Sequence, residues 1–235
     1  MFLARASVCS GFLFFRNVNI MKADAKILDR LYKAKTPQEI ADIYTEWAKT
    51  YDADLTQDSD YVAPQWCLNL LSKYMPSRDA RILDVGAGTG LFGQLLHRHG
   101  YRDLVAMDVS VGMLTEARKK GVYRKLHKGV LGKPLEFRDD AFDAAVAVGV
   151  FSPGQGPPDA FEELIRSIKP SGYCMFTLRP EFYEDGKLGF QPKQLALEAA
   201  GKWILEEKTG KFRGLPKGEP DLFYNVWVYR ITKIC

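Results

Sequence analysis

Residues 82–90 read ILDVGAGTG, and no other run limits so strongly what this chain can fold into. Ile82, Leu83 and Val85 make a short buried strand, Asp84 lies near its end, and Gly86, Gly88 and Gly90 follow at second-residue intervals. Alternate glycines admit positive φ and carry no Cβ, so the backbone there can turn sharply and approach a ligand closely. Leu91, Phe92, Leu95 and Leu96 then stand at helical spacing, and Gly100 is placed to end that helix. A dinucleotide-binding turn counted from Gly86 needs a third small residue at position 91, where Leu91 stands instead. A phosphate loop favours a lysine, and this loop has none.

One strand later, DLVAMD ends in Asp108, and Ser110 opens a helix through Met113, Leu114 and Ala117. In a doubly wound sheet the carboxyl ends of neighbouring strands share one crevice, so Asp108 is expected beside the glycine loop, placed to accept two ribose hydroxyls. Ser110 is the better helix cap, which leaves Asp108 for the ligand.

The rest of the chain extends the same alternation. Thr36-Pro37-Gln38-Glu39 reads as a capping box that starts a helix over 37–51, with Ile40, Ile43, Tyr44, Trp47, Ala48 and Tyr51 on one stripe. A second helix is expected over 61–74, closed by Pro76. Strands are expected at 123–130, 142–150 and 172–178. Between the last two, Asp159 and Glu162 suggest a capped helix ending before Pro170. A helix near 192–200 leads to extended runs at 203–212 and 222–232. The expected fold is α/β: a doubly wound, mostly parallel seven-stranded sheet with one antiparallel strand, helices on both faces and additional N-terminal helices.

With 235 residues and 46% apolar content, the chain suits one globular core with short additions. Its net charge of +4 is too small to argue for nucleic acid, and the basic stretch between Arg118 and Lys133 reads as a solvated face. Cys9, Cys67, Cys174 and Cys235 lie far apart without metal-ligand spacing, so neither a zinc site nor a disulfide framework is expected, and a reducing compartment is the default. Residues 1–22 carry Arg5, Arg16 and Lys22, no acid, and the cluster Gly11-Phe12-Leu13-Phe14-Phe15. They read either as a mitochondrial transit peptide or as an extension ahead of a start at Met21, and are too short and interrupted to span a bilayer. The organisation expected is a leader or disordered extension over 1–22, a helical lid over 23–76 and a ligand-binding domain over 77–235. The location expected is cytoplasmic, or mitochondrial if the leader is a transit peptide.

The order acid, then Gly86, Gly88 and Gly90, resembles the first motif of class I S-adenosylmethionine-dependent methyltransferases, and the resemblance runs over residues 37–232. TEWAKTYDA is similar to the N-terminal helix that covers the cofactor in many small-molecule methyltransferases, and IKPSG to a turn common among them. Within the superfamily, ILDVGAGTG, MDVSVGMLTEAR and VGVFSPGQGPPDAF look most like the methyltransferase-like proteins of the Williams-Beuren chromosome region. The resemblance implies S-adenosyl-L-methionine as cofactor. It implies that Asp84, Gly86, Ala87 and Gly88 hold the methionine end, that Asp108 takes the ribose, and that Val109 and Met113 pack on adenine. Val148 offers a backbone carbonyl to the methionine amine, and Tyr44, Trp47 and Tyr51 come from the lid. Families with a well-matched third motif carry an acid after the third strand. Here KGVLGKP leaves Val130 and Leu131 to meet adenine with backbone and apolar surface.

Methyl transfer from a sulfonium needs alignment and exclusion of water more than a dedicated base, and no catalytic residue or metal ligand is named from the sequence. Gly149-Val150-Phe151-Ser152-Pro153-Gly154-Gln155 stands where base-methylating enzymes carry Asn-Pro-Pro-Tyr or Asp-Pro-Pro-Tyr, so a nucleic-acid substrate is not expected. His97, His99 and His127 read as structural or exposed. The functions that follow are methylation of a small molecule, methylation of protein or RNA through a partner, or cofactor binding without catalysis. No membrane association is expected, and the oligomeric state is left open.

Overall fold

β1 (Arg81–Val85) is apolar on both faces and accordingly takes the middle of the sheet, paired in parallel with β2 (Asp103–Asp108) on one side and β4 (Phe142–Ala147) on the other. β3 (Lys125–Lys128) adds beyond β2, and β5 (Ile168–Leu178) beyond β4, both parallel. β8 (Glu219–Ile231) enters antiparallel between β5 and β6 (Trp203–Lys208), giving the order β3-β2-β1-β4-β5-β8-β6. This is the expected seven-strand path with one antiparallel strand. A short β7 (Phe212–Leu215) pairs with β8 outside that path: the run expected over 203–212 is interrupted after Lys208, and β7 continues along β8 in the same direction as β6 before the chain reverses into β8. The computed structural model describes residues 33–233 together with Ile27, Arg30 and Leu31; the leader and Cys235 lie outside the described residues. Among the described residues no helix is long and apolar enough to cross a membrane.

Alternation along the strands divides the core in two. On one face Leu83, Val105, Ala145, Phe176 and Tyr229 pack against α5 (Ala160–Ser167) and α7 (Phe190–Ala199). On the other, Ile82, Leu104, Val146, Met175 and Val228 meet α2 (Ala63–Tyr74) and α3 (Leu91–Arg98). α4 (Val111–Lys119) lies over β2, with Leu114 on Ala106 and Ala87. α6 (Pro180–Glu184) is one turn after β5. Cys67 and Cys174 are free and buried as small core residues, and burial pushes the Cys174 thiol up to about 12.

The N-terminal helix α1 (Pro37–Trp47) begins where the capping residues place it: Thr36 accepts from the Glu39 N–H at 3.2 Å. Glu39 reaches back one residue further than a capping box requires, to the Lys35 N–H at 2.8 Å. The helix stops at Trp47 and not at 51. Beyond a turn the chain rewinds as Tyr51–Ala53 and a π-helical turn Asp54–Asp58, a bend held by the Trp47 indole N–H on Asp54 at 2.6 Å. α1 crosses α4 at Gly112, where a Cβ would stand 2.7 Å from the Thr45 Cα.

Other boundaries shift for local reasons. β3 has four residues, not eight, and the chain leaves it through the Gly129 N–H on the Asp108 carbonyl at 3.0 Å. β4 ends at Ala147, ahead of Gly149 at φ +73°. Asp159 precedes α5 but its side chain makes no cap bond; it pairs with Lys193 at 3.0 Å instead.

Candidate active site

The carboxyl ends of β1, β2 and β4 open on one cleft, as a doubly wound sheet requires at the point where its strand order reverses. Gly86, Gly88 and Gly90 carry φ of +62°, +54° and +86°, a left-handed run that only glycine adopts without strain. Gly86 is also a close approach: a Cβ would lie 2.5 Å from Val150 Cγ2. At Gly88 a Cβ would meet only the Tyr51 ring, 3.9 Å away, so this glycine faces the open cleft.

Asp108 is only 8% exposed, and its two oxygens are already engaged. One accepts from the Gly88 N–H and the other from the Ser110 N–H, both at 2.8 Å. Ser110 caps α4 as expected, its hydroxyl accepting from the Met113 N–H at 3.1 Å. The expectation that this cap leaves Asp108 uncommitted is corrected: the same carboxylate holds the glycine loop and still presents lone pairs to the cleft. Burial pushes its pKa upward, and the amides of Ser110, Gly88 and Val109 pull it back.

The cleft is lined on the loop side by Gly86, Gly88, Asp108 and Val109, on the floor by Met113, Val130 and Leu131, and on the β4 side by Val148. Tyr44 and Tyr51 close it from the N-terminal segment. These ten residues, separated by up to 104 positions in the chain, are among those singled out from sequence. Three others stand elsewhere. Asp84, 2% exposed, points beneath the loop and accepts from the Tyr123 hydroxyl at 2.6 Å. Burial, with Asp108 nearby, pushes Asp84 up to about 7 against the opposing pull of Tyr123 and the Gly93 amide. Ala87 is turned toward Ala106 and Leu114. Trp47 lines a neighbouring cavity.

That neighbouring cavity was not anticipated. It shares Tyr44, Tyr51, Gly149 and Gln155 with the cleft and extends between Tyr61, Phe151, Arg179, Phe182 and the β7–β8 hairpin. Tyr44 donates to Gln155 Oε1 at 3.1 Å across the shared wall, and Tyr61 sits so close to Gly149 that a Cβ there would lie 2.6 Å from its hydroxyl. Ile40, Met107, Gly129 and Val150 also line the cleft. Their apolar character gave no signal apart from core packing.

The N-terminal segment that carries Thr45 and Asp52 is tied to the glycine loop and α4 by polar contacts. Thr45 and Ser110 share a hydrogen bond at 2.9 Å, and Asp52 receives the Thr89 hydroxyl and the Lys120 ammonium. Lys120 also donates to the Thr89 carbonyl at 2.7 Å and is only 13% exposed, so one member of the expected solvated basic face is turned inward. His97 and His99 lie at the end of α3, and His127 packs edge-on against Phe137 at 4.9 Å; none of the three lines either cavity.

Counted from Gly88, GTGLFG does meet the dinucleotide spacing at Gly93. Gly93, however, makes room for Tyr123, whose hydroxyl would be 2.1 Å from a Cβ there. The antiparallel β8 between β5 and β6 also departs from the all-parallel dinucleotide fold.

A family model described as a methyltransferase domain matches residues 83–176, from the glycine loop to β5. Human methyltransferase-like protein 27 is 36% identical over 164 residues, 68% of this chain and 66% of that protein. The chain belongs to the class I S-adenosylmethionine-dependent methyltransferase family. A demethylmenaquinone methyltransferase of Clavibacter sepedonicus is 31% identical over 153 residues, 63% of this methyltransferase and 62% of the relative. The chain thus spans less than two thirds of the length of the curated relatives it matches. The crystal structure of an S-adenosylmethionine-dependent methyltransferase from Mesorhizobium loti shares the fold at a TM-score of 0.53 and 18% identity, over 72% of this chain and 98% of that one.

The cleft of this chain fits the cofactor of its family. A buried carboxylate with spare lone pairs faces it, Gly86 and Gly88 line one end with no Cβ in the way, and the other end is apolar. Among the described residues no acid, histidine or cysteine cluster suits a metal ion.

Proposed function

We propose that this methyltransferase moves a methyl group from S-adenosyl-L-methionine to a small molecule held in the second cavity. The observation that carries the proposal is the shared wall: Tyr44, Tyr51, Gly149 and Gln155 border both cavities, so ligands in the two meet there. When bound, the cofactor supplies an electrophilic methyl carbon on a sulfonium. Asp108 accepts ribose hydroxyls, Gly86 and Gly88 admit the methionine end, Val148 offers its carbonyl, and Val109, Met113, Val130 and Leu131 cover the adenine. Asp84 acts from below by holding Tyr123 against α3, and Ala87 by seating the loop on Ala106 and Leu114.

With the cofactor bound, the acceptor's lone pair would form the new bond to the methyl carbon as the carbon–sulfur bond breaks toward sulfur, and the acceptor's proton would leave to solvent. The chain contributes alignment and dryness. Effective molarities of well-oriented reactants correspond to about 7–11 kcal/mol in favourable cases, enough to make a dedicated base dispensable. Tyr51 and Tyr61 stand at the transfer point as neutral hydroxyls, because burial pushes both well above the ordinary tyrosine value. A small acceptor is supported by the second cavity adjoining the cofactor cleft and by the demethylmenaquinone methyltransferase among the relatives.

The test is incubation of the protein with methyl-labelled cofactor and fractionated lysate. Label is expected in the small-metabolite fraction. Label in protein or RNA would replace this reading with a macromolecular substrate, and binding without label in any fraction would make the protein a noncatalytic binder.

A further inference from the structure

The second cavity has a largely aromatic and aliphatic lining with several polar groups and two charged ones, Arg179 and Glu219, and the two are unequally committed. Arg179 follows β5 directly, and its side chain is only 12% exposed although a guanidinium is charged at every physiological pH. Its partner Glu181, reached through Nε and one terminal nitrogen, is half in solvent, where an ion pair is screened and weak. The guanidinium packs 4.7 Å from the Phe182 ring centre, and its other terminal nitrogen makes no hydrogen bond within the described residues. A largely shielded charge whose one direct ion pair is half in solvent is incompletely compensated, and a further anion in contact with it improves the balance.

The polar groups that line the cavity with Arg179 can mostly donate. Gln155 has given its carbonyl oxygen to Tyr44 and keeps its amide N–H groups, and Ser152, Tyr51 and Tyr61 bring hydroxyls. Glu219 is the exception. Burial raises its pKa, against the pull of Arg179, so it holds negative charge less readily than an exposed carboxylate does. A donor-rich, largely aromatic cavity with one fixed cation matches a ligand rich in acceptors.

We infer that the methyl acceptor is a small molecule with an apolar or aromatic body and a carboxylate, and that Arg179 holds this carboxylate as the specificity-determining contact. The inference rests on the second cavity being the acceptor site. Arg179 lines that cavity and not the cofactor cleft, so it orients the acceptor without touching the cofactor. Glu219 acts against the acid by charge, and sets the selection against acceptors of higher negative charge.

The experiment uses the full chain saturated with S-adenosylhomocysteine, and two probes of one skeleton, 3-phenylpropionate and 3-phenylpropylamine, titrated by ligand-observed NMR. The acid is expected to bind saturably and the amine not. Arg179→Gln is expected to weaken the acid at least tenfold, Arg179→Lys to recover part of the loss, and Glu219→Gln to leave the acid as tight or tighter. S-adenosylhomocysteine affinity, measured on each variant, is expected to match wild type and serves as the check on folding. Preference for the amine, binding of neither probe, or acid binding indifferent to Arg179→Gln each overturns the inference while leaving the methyltransferase reading intact. Failure of the wild-type chain to bind S-adenosylhomocysteine overturns that reading itself. If Arg179→Gln does not fold, Arg179→Lys and Glu219→Gln decide: a weaker acid complex in Glu219→Gln contradicts the charge argument.

Discussion

Asp108 performs two tasks with one carboxylate, and Asp108→Asn separates them. The amide keeps the size and removes the charge. Its oxygen still accepts from the Ser110 N–H, but its NH2 then faces the Gly88 N–H, now 2.8 Å from an acceptor oxygen, and two donors oppose each other. A buried donor left unmet costs about 1–3 kcal/mol. Part of this is offset because burial already disfavours the charged carboxylate, as its raised pKa shows, so a loss near the lower end, about 1–2 kcal/mol, is expected in folding stability. The cofactor loses hydrogen bonds from ribose to a charged acceptor, about 1.5–3 kcal/mol, which corresponds to roughly 10- to 150-fold in Kd. Urea melts followed by near-ultraviolet circular dichroism measure the first quantity, and titration calorimetry with S-adenosylhomocysteine measures the second on folded protein. Affinity within twofold of wild type in a folded Asp108→Asn would remove this residue from the cofactor site. Unchanged stability with weakened binding would show that the carboxylate does not hold the loop.

The Asp84 pKa sets a pH dependence of known sign. Pushed up to about 7 from an ordinary 3.8, the folded-state carboxyl keeps its proton where the unfolded chain has lost it, so its stabilising contribution is complete below about pH 4 and is lost as pH rises toward 7. Urea melts of wild type and Asp84→Asn between pH 4 and 8 should show the wild type losing ground over that window; a difference that grows in its favour with pH would contradict the burial argument. For the N-terminal cap, amide exchange over residues 37–51 should slow strongly when the cofactor binds, because Tyr44 and Tyr51 line its cleft. Lys120→Met, which removes the tie to Asp52 and Thr89, should speed exchange over residues 51–56. Equal protection of 37–51 with and without cofactor would make the cap ordinary core.

What the sequence alone determined about this protein is the part written in short-range pattern. Strand, glycine loop and helix over residues 81–98 are legible because a short near-continuous apolar run, closely spaced glycines and helical spacing are each properties of neighbouring residues. Asp108 is legible for the same reason one unit later, given that parallel strands end together. Tertiary structure alone decided which way Asp84 points. Being at the end of a strand does not say which side of the loop a carboxylate faces, and Tyr123, 39 residues on, supplies the partner that draws it beneath. Lys120 likewise belongs by spacing to an exposed basic run, and only the folding of Asp52 over Thr89 gives it a reason to turn inward. The second cavity lies furthest from local pattern. Tyr61, Phe151, Arg179 and Glu219 come from four separate stretches of chain, three of them loops, and each reads in sequence as an ordinary core aromatic or surface charge. They meet because the β7–β8 hairpin folds back over the chain at Ser59, where Gly218 leaves just enough room, a Cβ there standing 2.7 Å from the serine Oγ. A contact spanning that much chain is set by the packing of the whole sheet, and only the assembled fold contains it.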